Sequence, residues 1–253
     1  MAEQNYDFPT EVISLPSEGK GYSESNPLSK GTIEIKYMTA REEEILTSQN
    51  LIKKGIVLNK LFESIVIDKG VNVDDILLGD KNAIMLATRI LAYGAKYPIE
   101  ITGADGEREQ IDIDLSKVQT KDVDLSKLKR DNRYEFTTPS GNKLVFKLLT
   151  HGDEQKIDAD IKALAKFNKG GISSELTTRY RYMIQEVDGR NDTKSITDFI
   201  NNKFLAKDTR AFREFIREIS PDINMEFDYE NPETGEKEVR QIPMGVGFFW
   251  PTE

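Results

Sequence analysis

The residue best suited to acid–base chemistry in this sequence is His151, its single histidine. Asp153 and Glu154 follow closely, and an imidazole beside carboxylates is a common arrangement for a general base. No nucleophile or second ligand stands at a useful spacing, so we interpret His151 as a solvated residue at the start of a helix. A single histidine also disfavours zinc sites built from several imidazoles.

Four aspartates could supply oxygen ligands to a calcium ion: Asp112, Asp114, Asp122 and Asp124. They lack the Asp-x-Asp-x-Asp-Gly pattern and the closing glutamate of a calcium-binding loop. We interpret them as carboxylates on the solvated face of a strand, and we predict no metal site.

The segment Glu18-Gly19-Lys20-Gly21-Tyr22 resembles a phosphate-binding loop only superficially. A Walker loop places its lysine after the last glycine and leads directly into a helix, whereas here the lysine lies between glycines and a proline-bearing loop follows. We therefore predict no nucleotide cofactor and no small-molecule substrate. The glycines instead indicate a mobile segment that docks on a partner.

Arg179-Tyr180-Arg181-Tyr182 alternates basic and aromatic residues, as nucleic-acid-binding surfaces do. On a helix, however, Tyr180 lies beside Ile184 and Arg179 beside Met183, which favours core packing with arginines that extend to solvent. The net charge of -9 also opposes binding to phosphate backbones and anionic bilayers. We therefore predict no nucleic-acid partner.

The composition excludes further classes of site. Cysteine is absent, so disulfides, thiolate nucleophiles and thiolate-bound metals are excluded. The first ten residues lack the basic and apolar regions of an export signal, and no apolar run is long enough to span a bilayer. We expect a protein without a membrane span that stays where it is made.

Two stretches of the chain share one order of predicted elements. Residues 32–38 alternate as a strand, and Thr39 with Glu42 forms a capping box that opens an amphipathic helix continuing through Ile52. Residues 143–149 form a second predicted strand, and Thr150 with Asp153 repeats the cap. Each stretch continues into a helix beginning near Asp80 or Asp208, and then into a hairpin over residues 99–114 or 225–242.

This shared order indicates an internal duplication. We predict an α+β fold of two divergent tandem copies of a strand-helix-helix-β-hairpin unit, with more helix than strand. Residues 1–118 form the first repeat with an N-terminal extended arm, 119–130 the connector, and 131–253 the second repeat with an aromatic C-terminal tail. The spacing between equivalent positions varies, so insertions are required, and a chance likeness of periodic elements is the alternative.

The end of the chain is unusually aromatic. Phe248, Phe249 and Trp250 lie within six residues of Glu253, and large apolar rings are stable only when they are buried. Two modes of burial are open: the tail closes the second repeat, or it anchors another subunit.

Three blocks resemble a known family: residues 13–22, residues 31–51, and Phe248-Phe249-Trp250-Pro251. Together they are similar to the baseplate hub subunit or hub-assembly protein of T-even-type contractile-tailed phages. The resemblance implies a noncatalytic protein that binds phage baseplate hub or tail-tube proteins. It implies a location in the host cytoplasm during assembly, and in the virion tail baseplate if the protein is a structural subunit and not a chaperone.

Some relatives carry Cys-x-x-Cys in the two hairpins, where this sequence has no thiolate. We therefore expect hydrogen bonds and apolar pairing across Ile101, Ile111, Phe227 and Val239 to hold these hairpins together.

The predicted partner-binding residues are Leu15, Pro16, Gly19, Gly21, Tyr22, Phe248, Phe249, Trp250 and Pro251. We predict no catalytic residue and no cofactor, and we expect deletion of residues 247–253 to leave a folded monomer that no longer co-purifies with hub proteins. The alternative is a carboxylate-dependent hydrolase that uses acids such as Asp153 or Asp228 in a cleft between the two repeats, and it requires two acids whose pKa values burial pushes apart.

Overall fold

A computed structural model describes residues 8–102, 108–167, 174–230, 235 and 237–249. Within these ranges lie the helices α1 (Ala40–Thr47), α2 (Gln49–Lys54), α3 (Val57–Ile65), α4 (Leu78–Tyr93), α5 (His151–Phe167), α6 (Glu175–Met183), α7 (Thr193–Asn202) and α8 (Ala206–Ile219). The strands are β1 (Thr10–Ser14), β2 (Thr32–Lys36), β3 (Lys96–Thr102), β4 (Arg108–Asp114), β5 (Tyr134–Thr137), β6 (Lys143–Phe146), β7 (Ile184–Val187), β8 (Glu226–Glu230) and β9 (Lys237–Gln241).

The sheets are small and antiparallel. β1 pairs with β2, β3 with β4 and β8 with β9, while β5, β6 and β7 form one three-stranded sheet. More residues lie in helices than in strands. The predicted α+β class and the predicted excess of helix are confirmed.

The first capped helix begins where the sequence predicts. Thr39 Oγ1 accepts a hydrogen bond from the Arg41 backbone N–H, and Glu42 Oε2 accepts one from the Thr39 backbone N–H at 2.8 Å. Glu42 Oε1 also accepts from Lys36 Nζ at 2.7 Å and from Ser64 Oγ at 2.6 Å. The Thr39 capping box is therefore confirmed, and its glutamate also bonds β2 and α3.

The predicted helix is nevertheless divided in two. α1 ends at Thr47, and Ser48 adopts extended backbone angles before α2 begins. Thr47 Oγ1 donates to the Glu43 carbonyl at 2.8 Å, and such side chains compete with helical hydrogen bonds. The prediction of one helix continuing through Ile52 is therefore wrong.

Thr150 and Asp153 start α5 in the same way. The Asp153 N–H donates to Thr150 Oγ1, and the Thr150 N–H donates to Asp153 Oδ2 at 3.1 Å. Lys147 Nζ then donates to both oxygens of Asp153, at 2.6 and 2.7 Å. The order of lysine, threonine and acid at three-residue intervals is thus the same at the starts of α1 and α5.

A buried aspartate occupies the first turn of both α4 and α8. Asp80 Oδ1 accepts from the Ser17 backbone N–H, and Asp208 Oδ1 accepts from the Ser140 backbone N–H, both at 2.9 Å. Each serine follows a proline in the connection between two paired strands. The tandem repeat and its boundaries stay predictions, and these matched contacts are the observations that bear on them.

The two halves of the chain share a core. Ile35 and Leu61 of the first half belong to the same buried apolar cluster as Phe146 and Phe212 of the second. Backbone hydrogen bonds also join the halves, from Leu78 N–H to the Leu149 carbonyl at 3.2 Å and from His151 N–H to the Ile76 carbonyl at 2.8 Å. The position of α5 is therefore tied to the chain segment that precedes α4.

Two short 3-10 helices, Leu115–Lys117 and Leu125–Lys127, flank or lie in the predicted connector. Asp114 and Asp124 cap them, since each Oδ1 accepts from the N–H and the hydroxyl of the serine two residues later. Asp112 and Asp114 lie exposed on β4, as predicted. Asp122 and Asp124 lie outside any strand, which corrects the prediction for this pair because the chain there turns at the Asp124 cap.

The hairpin register differs in part from the predicted apolar pairing. Ile111 faces Ile99, whereas Ile101 faces Glu109. Phe227 faces Arg240, and Val239 faces Asp228 and is 62% exposed. The prediction of apolar pairing through Val239 is therefore wrong, because strand alternation directs this side chain to solvent.

Candidate functional site

The predicted N-terminal docking segment belongs to the core of this chain. The buried residues are Leu15, Pro16, Gly19, Gly21 and Tyr22. Gly19 has φ +77°, and a Cβ there would lie 2.3 Å from the Ser29 carbonyl oxygen. The glycines serve close packing, which corrects the interpretation of the segment as mobile. Partner binding by these residues stays a prediction, and the exposed side chains of the segment are Glu18 and Lys20.

Asp80 of α4 holds this segment in place. Its Oδ2 accepts hydrogen bonds from Ser17 Oγ at 2.7 Å and from Tyr22 Oη at 2.5 Å. Tyr22 Oη in turn accepts from the Leu77 backbone N–H at 2.9 Å. Burial raises the pKa of Asp80 above its ordinary value, although the hydrogen bonds from Tyr22 and Ser17 act in the opposite direction. This carboxylate is therefore a structural acceptor at the centre of a buried network.

The aromatic tail is also buried within the chain. Phe248 is 1% exposed and its ring centroid lies 5.1 Å from that of Tyr97, while Phe249 is 0% exposed and joins the main core. Tyr97 and Leu115, which pack in the same cluster as Phe248, come from the first half. Self-burial is thus the correct alternative for both phenylalanines, with the correction that the tail packs on the first half too. Trp250 and Pro251 lie outside the described residues.

This burial also bears on the deletion of residues 247–253. Removing two phenylalanines with almost no exposed surface opens the core, at a cost of about 3–5 kcal/mol for each large ring lost. The expectation that the shortened chain stays folded is therefore corrected to an expected loss of stability.

His151 is 2% exposed, so its interpretation as a solvated residue is wrong. It lies in edge contact with Phe62, at 5.2 Å between ring centroids. Burial, together with the positive charge of Lys81, lowers its pKa to about 4. Its Nε2 lies 2.9 Å from Gln155 Nε2, and its Nδ1 has no hydrogen-bond partner in the described part of the chain. The imidazole is therefore neutral at neutral pH.

His151 lines a cavity of about 310 Å³ between α3, α4 and α5. Lys81 and Glu154, which form an ion pair, and Asp158 also line it. Burial raises the pKa of Asp158, and the charge of Glu154 adds to this effect. The described lining offers no hydroxyl that a base could activate, and a general base with a pKa of about 4 is weak at neutral pH. The described lining therefore holds no hydroxyl nucleophile, and its two carboxyl groups are Asp158 and Glu154, which is paired with Lys81.

A second, open cavity of about 400 Å³ is mainly apolar and lies between the start of α4, α6 and α8. We name it the arginine groove. Its floor includes Leu77, Leu149 and Met183, and its rim includes Leu176, Arg213 and Arg217. The floor residues are buried, whereas Leu176 is 46% exposed. The groove thus combines an apolar floor from both halves with a rim of basic side chains.

The arginines of the groove differ in their partners. Arg179 Nε pairs with Glu175 Oε1 at 3.1 Å, and Arg213 Nη1 donates to Tyr180 Oη at 3.1 Å. Arg217 has no side-chain ion pair with any described residue. Tyr180 itself is buried against Phe204, at 5.3 Å between centroids, which confirms the interpretation of Tyr180 as a core residue.

A family model described as T4 bacteriophage base plate protein matches residues 9–250. The chain belongs to this family. Comparison with curated proteins and with solved structures finds no match. The predicted resemblance to T4-type phage baseplate proteins is confirmed, and the hub role within that family stays a prediction.

The acids considered for a hydrolase lie apart in this baseplate protein. Asp153 bonds Lys147 and Thr150 at the start of α5, and Asp228 is exposed on β8. Neither lines the cavities described above. Within the described ranges no three potential ligand side chains are grouped to hold a metal ion, and none of the helices there has the length and apolarity to cross a bilayer.

The sequence reasoning missed the arginine groove. Arg213 and Arg217 stand four residues apart, which places them on one face of a helix beside Ile216. This four-residue spacing is the feature of the sequence that could have predicted the basic rim of the groove. The apolar floor gives no comparable signal, because Leu77 and Leu149 are far apart in sequence.

Proposed function

We propose that this baseplate protein is a noncatalytic hub component, or a hub-assembly protein, that binds other hub or tail-tube subunits. The observation that carries the proposal is the family match over residues 9–250, which covers nearly the whole chain. The hub role draws its support from the resemblance of residues 13–22 and 31–51. In this proposal the protein acts in the host cytoplasm during assembly and takes its place in the tail baseplate if it is a structural subunit.

The structural engagement of two buried acids supports a noncatalytic role. Asp80 accepts three hydrogen bonds from Ser17 and Tyr22, and Asp153 is held by Lys147. A catalytic acid pair needs two carboxyl groups whose environments set different pKa values around one substrate. Asp80 and Asp208 instead serve as buried acceptors, and Asp153 caps α5.

We also propose that the two halves descend from one duplicated unit. Support comes from two pairs of equivalent contacts: Ser17 with Asp80 and Ser140 with Asp208, and the lysine–acid pairs at the starts of α1 and α5. Contacts matched in both chain order and geometry are more specific than shared periodicity.

The experiment is affinity purification of a tagged chain from phage-infected cells, with bound proteins identified by mass spectrometry early and late in infection. We expect hub or tail-tube subunits to co-purify, and their absence at both times would refute the proposal. Presence of the chain in purified virions indicates a structural subunit, and presence only in early complexes indicates a chaperone.

A variant tests the hydrolase alternative directly. Asp228→Asn removes an exposed carboxylate without opening the core, and we expect normal phage assembly. Asp153→Asn is informative when circular dichroism shows native folding, because Asp153 also caps α5. Loss of assembly by folded variants of both acids would favour catalysis over binding.

A further inference from the structure

We infer that the arginine groove binds a segment of another baseplate subunit in which an aliphatic side chain is flanked by carboxylates. The inference rests on the proposed function, since it names the kind of partner segment that such a binding protein would take. It adds a surface that contains none of the residues predicted to bind partners from sequence.

The apolar part of the groove defines the central side chain of the ligand. Leu176 is 46% exposed at the rim, and the buried floor of the same groove includes Leu149 and Met183. An aliphatic side chain entering the groove would cover Leu176 and contact this floor. Apolar burial of that kind supplies affinity, while polar groups at the rim determine orientation.

The charge of the rim defines the flanking residues. Three arginines and no aspartate or glutamate line the groove, although acidic residues outnumber basic ones by 44 to 35 in the whole chain. The Arg179 charge is offset by Glu175, but Arg213 and Arg217 have no carboxylate partner among the described residues. Arginine binds carboxylates through paired N–H donors. An acidic segment therefore fits this rim, and a basic one is repelled.

The elements that form the groove are joined by a backbone hydrogen bond and by close backbone packing. The Leu78 N–H bonds the Leu149 carbonyl at 3.2 Å, which fixes the floor across the two halves. A Cβ on Gly79 would lie 1.8 Å from the Pro221 carbonyl oxygen, so α4 meets the chain after α8 in backbone contact. A preformed site loses less conformational freedom on binding than a flexible one.

The first test is photo-crosslinking in infected cells. A photoreactive amino acid replaces Leu176, and in a matched control it replaces Leu205, which is 51% exposed and lies outside the groove. Mass spectrometry then identifies the crosslinked peptide. We expect a segment of another baseplate subunit with Leu, Ile, Val or Met next to Asp or Glu.

Other crosslinks would overturn the inference. These are a crosslink to a second copy of this chain, a crosslink to its own residues 250–253, and a partner segment without acidic residues. Crosslinking at position 176 no stronger than at position 205 would overturn it as well.

The second test uses charge reversal. Arg213→Glu with Arg217→Glu reverses the rim, and Lys207→Glu with Arg210→Glu makes the same charge change on exposed positions of α8 outside the groove. We expect the rim variant to lose at least about tenfold of the crosslinked subunit in quantitative co-purification. The control variant is expected to stay within about twofold, and thermal melts establish that both variants fold.

A single apolar change gives an independent measurement. Leu176→Asp and Leu205→Asp both place an acid at a helix start, where it is tolerated. Only Leu176→Asp should reduce binding. If wild-type protein binds baseplate subunits and the groove variants bind them equally well, the groove inference fails alone; if wild-type protein binds none, the proposed function fails.

Discussion

Tyr22→Phe removes one hydroxyl from the buried network around Asp80. Tyr22 is 4% exposed, its Oη donates to Asp80 Oδ2 at 2.5 Å, and the same oxygen accepts from Leu77 N–H at 2.9 Å. The ring remains, so the core keeps its volume. The substitution therefore isolates the contribution of the two hydrogen bonds.

The expected loss is about 2–4 kcal/mol in the free energy of unfolding. A hydrogen bond to a charged acceptor contributes roughly 1.5–3 kcal/mol, and a buried N–H left without a partner costs roughly 1–3 kcal/mol. The two effects do not add fully, because Ser17 still donates two hydrogen bonds to Asp80.

Urea unfolding followed by circular dichroism measures this loss. Tyr182→Phe is the matched control, because the Tyr182 hydroxyl donates to Asp160 at 2.9 Å in an exposed pair. We expect the control to lose no more than about 0.5 kcal/mol. Equal effects of the two substitutions, or a loss below about 0.5 kcal/mol for Tyr22→Phe, would refute the reasoning.

Wild-type protein and Tyr22→Phe should also differ in how their free energy of unfolding depends on pH. Burial, reinforced by the Asp80 carboxylate, raises the pKa of Tyr22 above its ordinary value of 10.0. A folded-state pKa that is raised means that the stability from this group is complete below pH 10.0 and is lost as the pH rises further. Wild-type protein should therefore lose stability above that pH more steeply than Tyr22→Phe, and parallel curves would contradict the assignment.

Three further predictions concern other buried groups. Burial alone would raise the pKa of Glu42, but hydrogen bonds from Lys36, Ser64 and Thr39 lower it to about 2. Glu42→Gln should therefore cost about 2 kcal/mol in the free energy of unfolding at pH 7. In urea titrations at several pH values, it should also reduce the loss of stability that occurs below pH 4.5. The single histidine resonance should titrate in NMR with a pKa of about 4, with stability lost as the pH falls below 6.5, and a midpoint near 6.5 would contradict the burial of His151. Phe248→Ala should cost about 3–5 kcal/mol in urea unfolding and Val239→Ala less than about 0.5 kcal/mol, and similar costs would contradict the packing of the tail.

Features set by neighbouring residues were predictable from sequence. The caps at Thr39 and Thr150 depend on side chains three residues away, so a short pattern specifies them. The helices that begin near Asp80 and Asp208 follow from apolar periodicity in the same way. Interactions between residues close in sequence were sufficient to predict where these helices begin.

Features set by distant residues were not predictable. His151 looks solvated beside two acids, yet Phe62 and α4 cover it. The glycines near Tyr22 look like a flexible linker, yet Asp80 binds the segment from more than fifty residues away. Burial of this kind depends on which elements pack together, and a single sequence carries no direct record of that packing.

The buried aspartates show how the two halves differ. Asp208 Oδ2 is buried without a hydrogen-bond partner in the described part of the chain, whereas Tyr22 and Ser17 donate to the equivalent oxygen of Asp80. Tyr22 lies in residues 15–31 between β1 and β2, and residues 138–142 between β5 and β6 are too few to supply an equivalent tyrosine. In a duplicated chain, the longer connection is therefore the feature that satisfies the carboxylate in the first half only.

That longer connection also positions the floor of the arginine groove. Tyr22 Oη accepts the Leu77 N–H, and a Cβ on Gly21 would lie 2.5 Å from Leu77 Cδ1, so this segment contacts both the backbone and the side chain of Leu77. Leu77 in turn lines the groove. Residues of the 13–22 block would then contribute to partner binding by fixing Leu77 and not by touching the partner. Tyr22→Phe should accordingly weaken binding at the groove less than Leu176→Asp does, since it shifts the floor and leaves the rim intact.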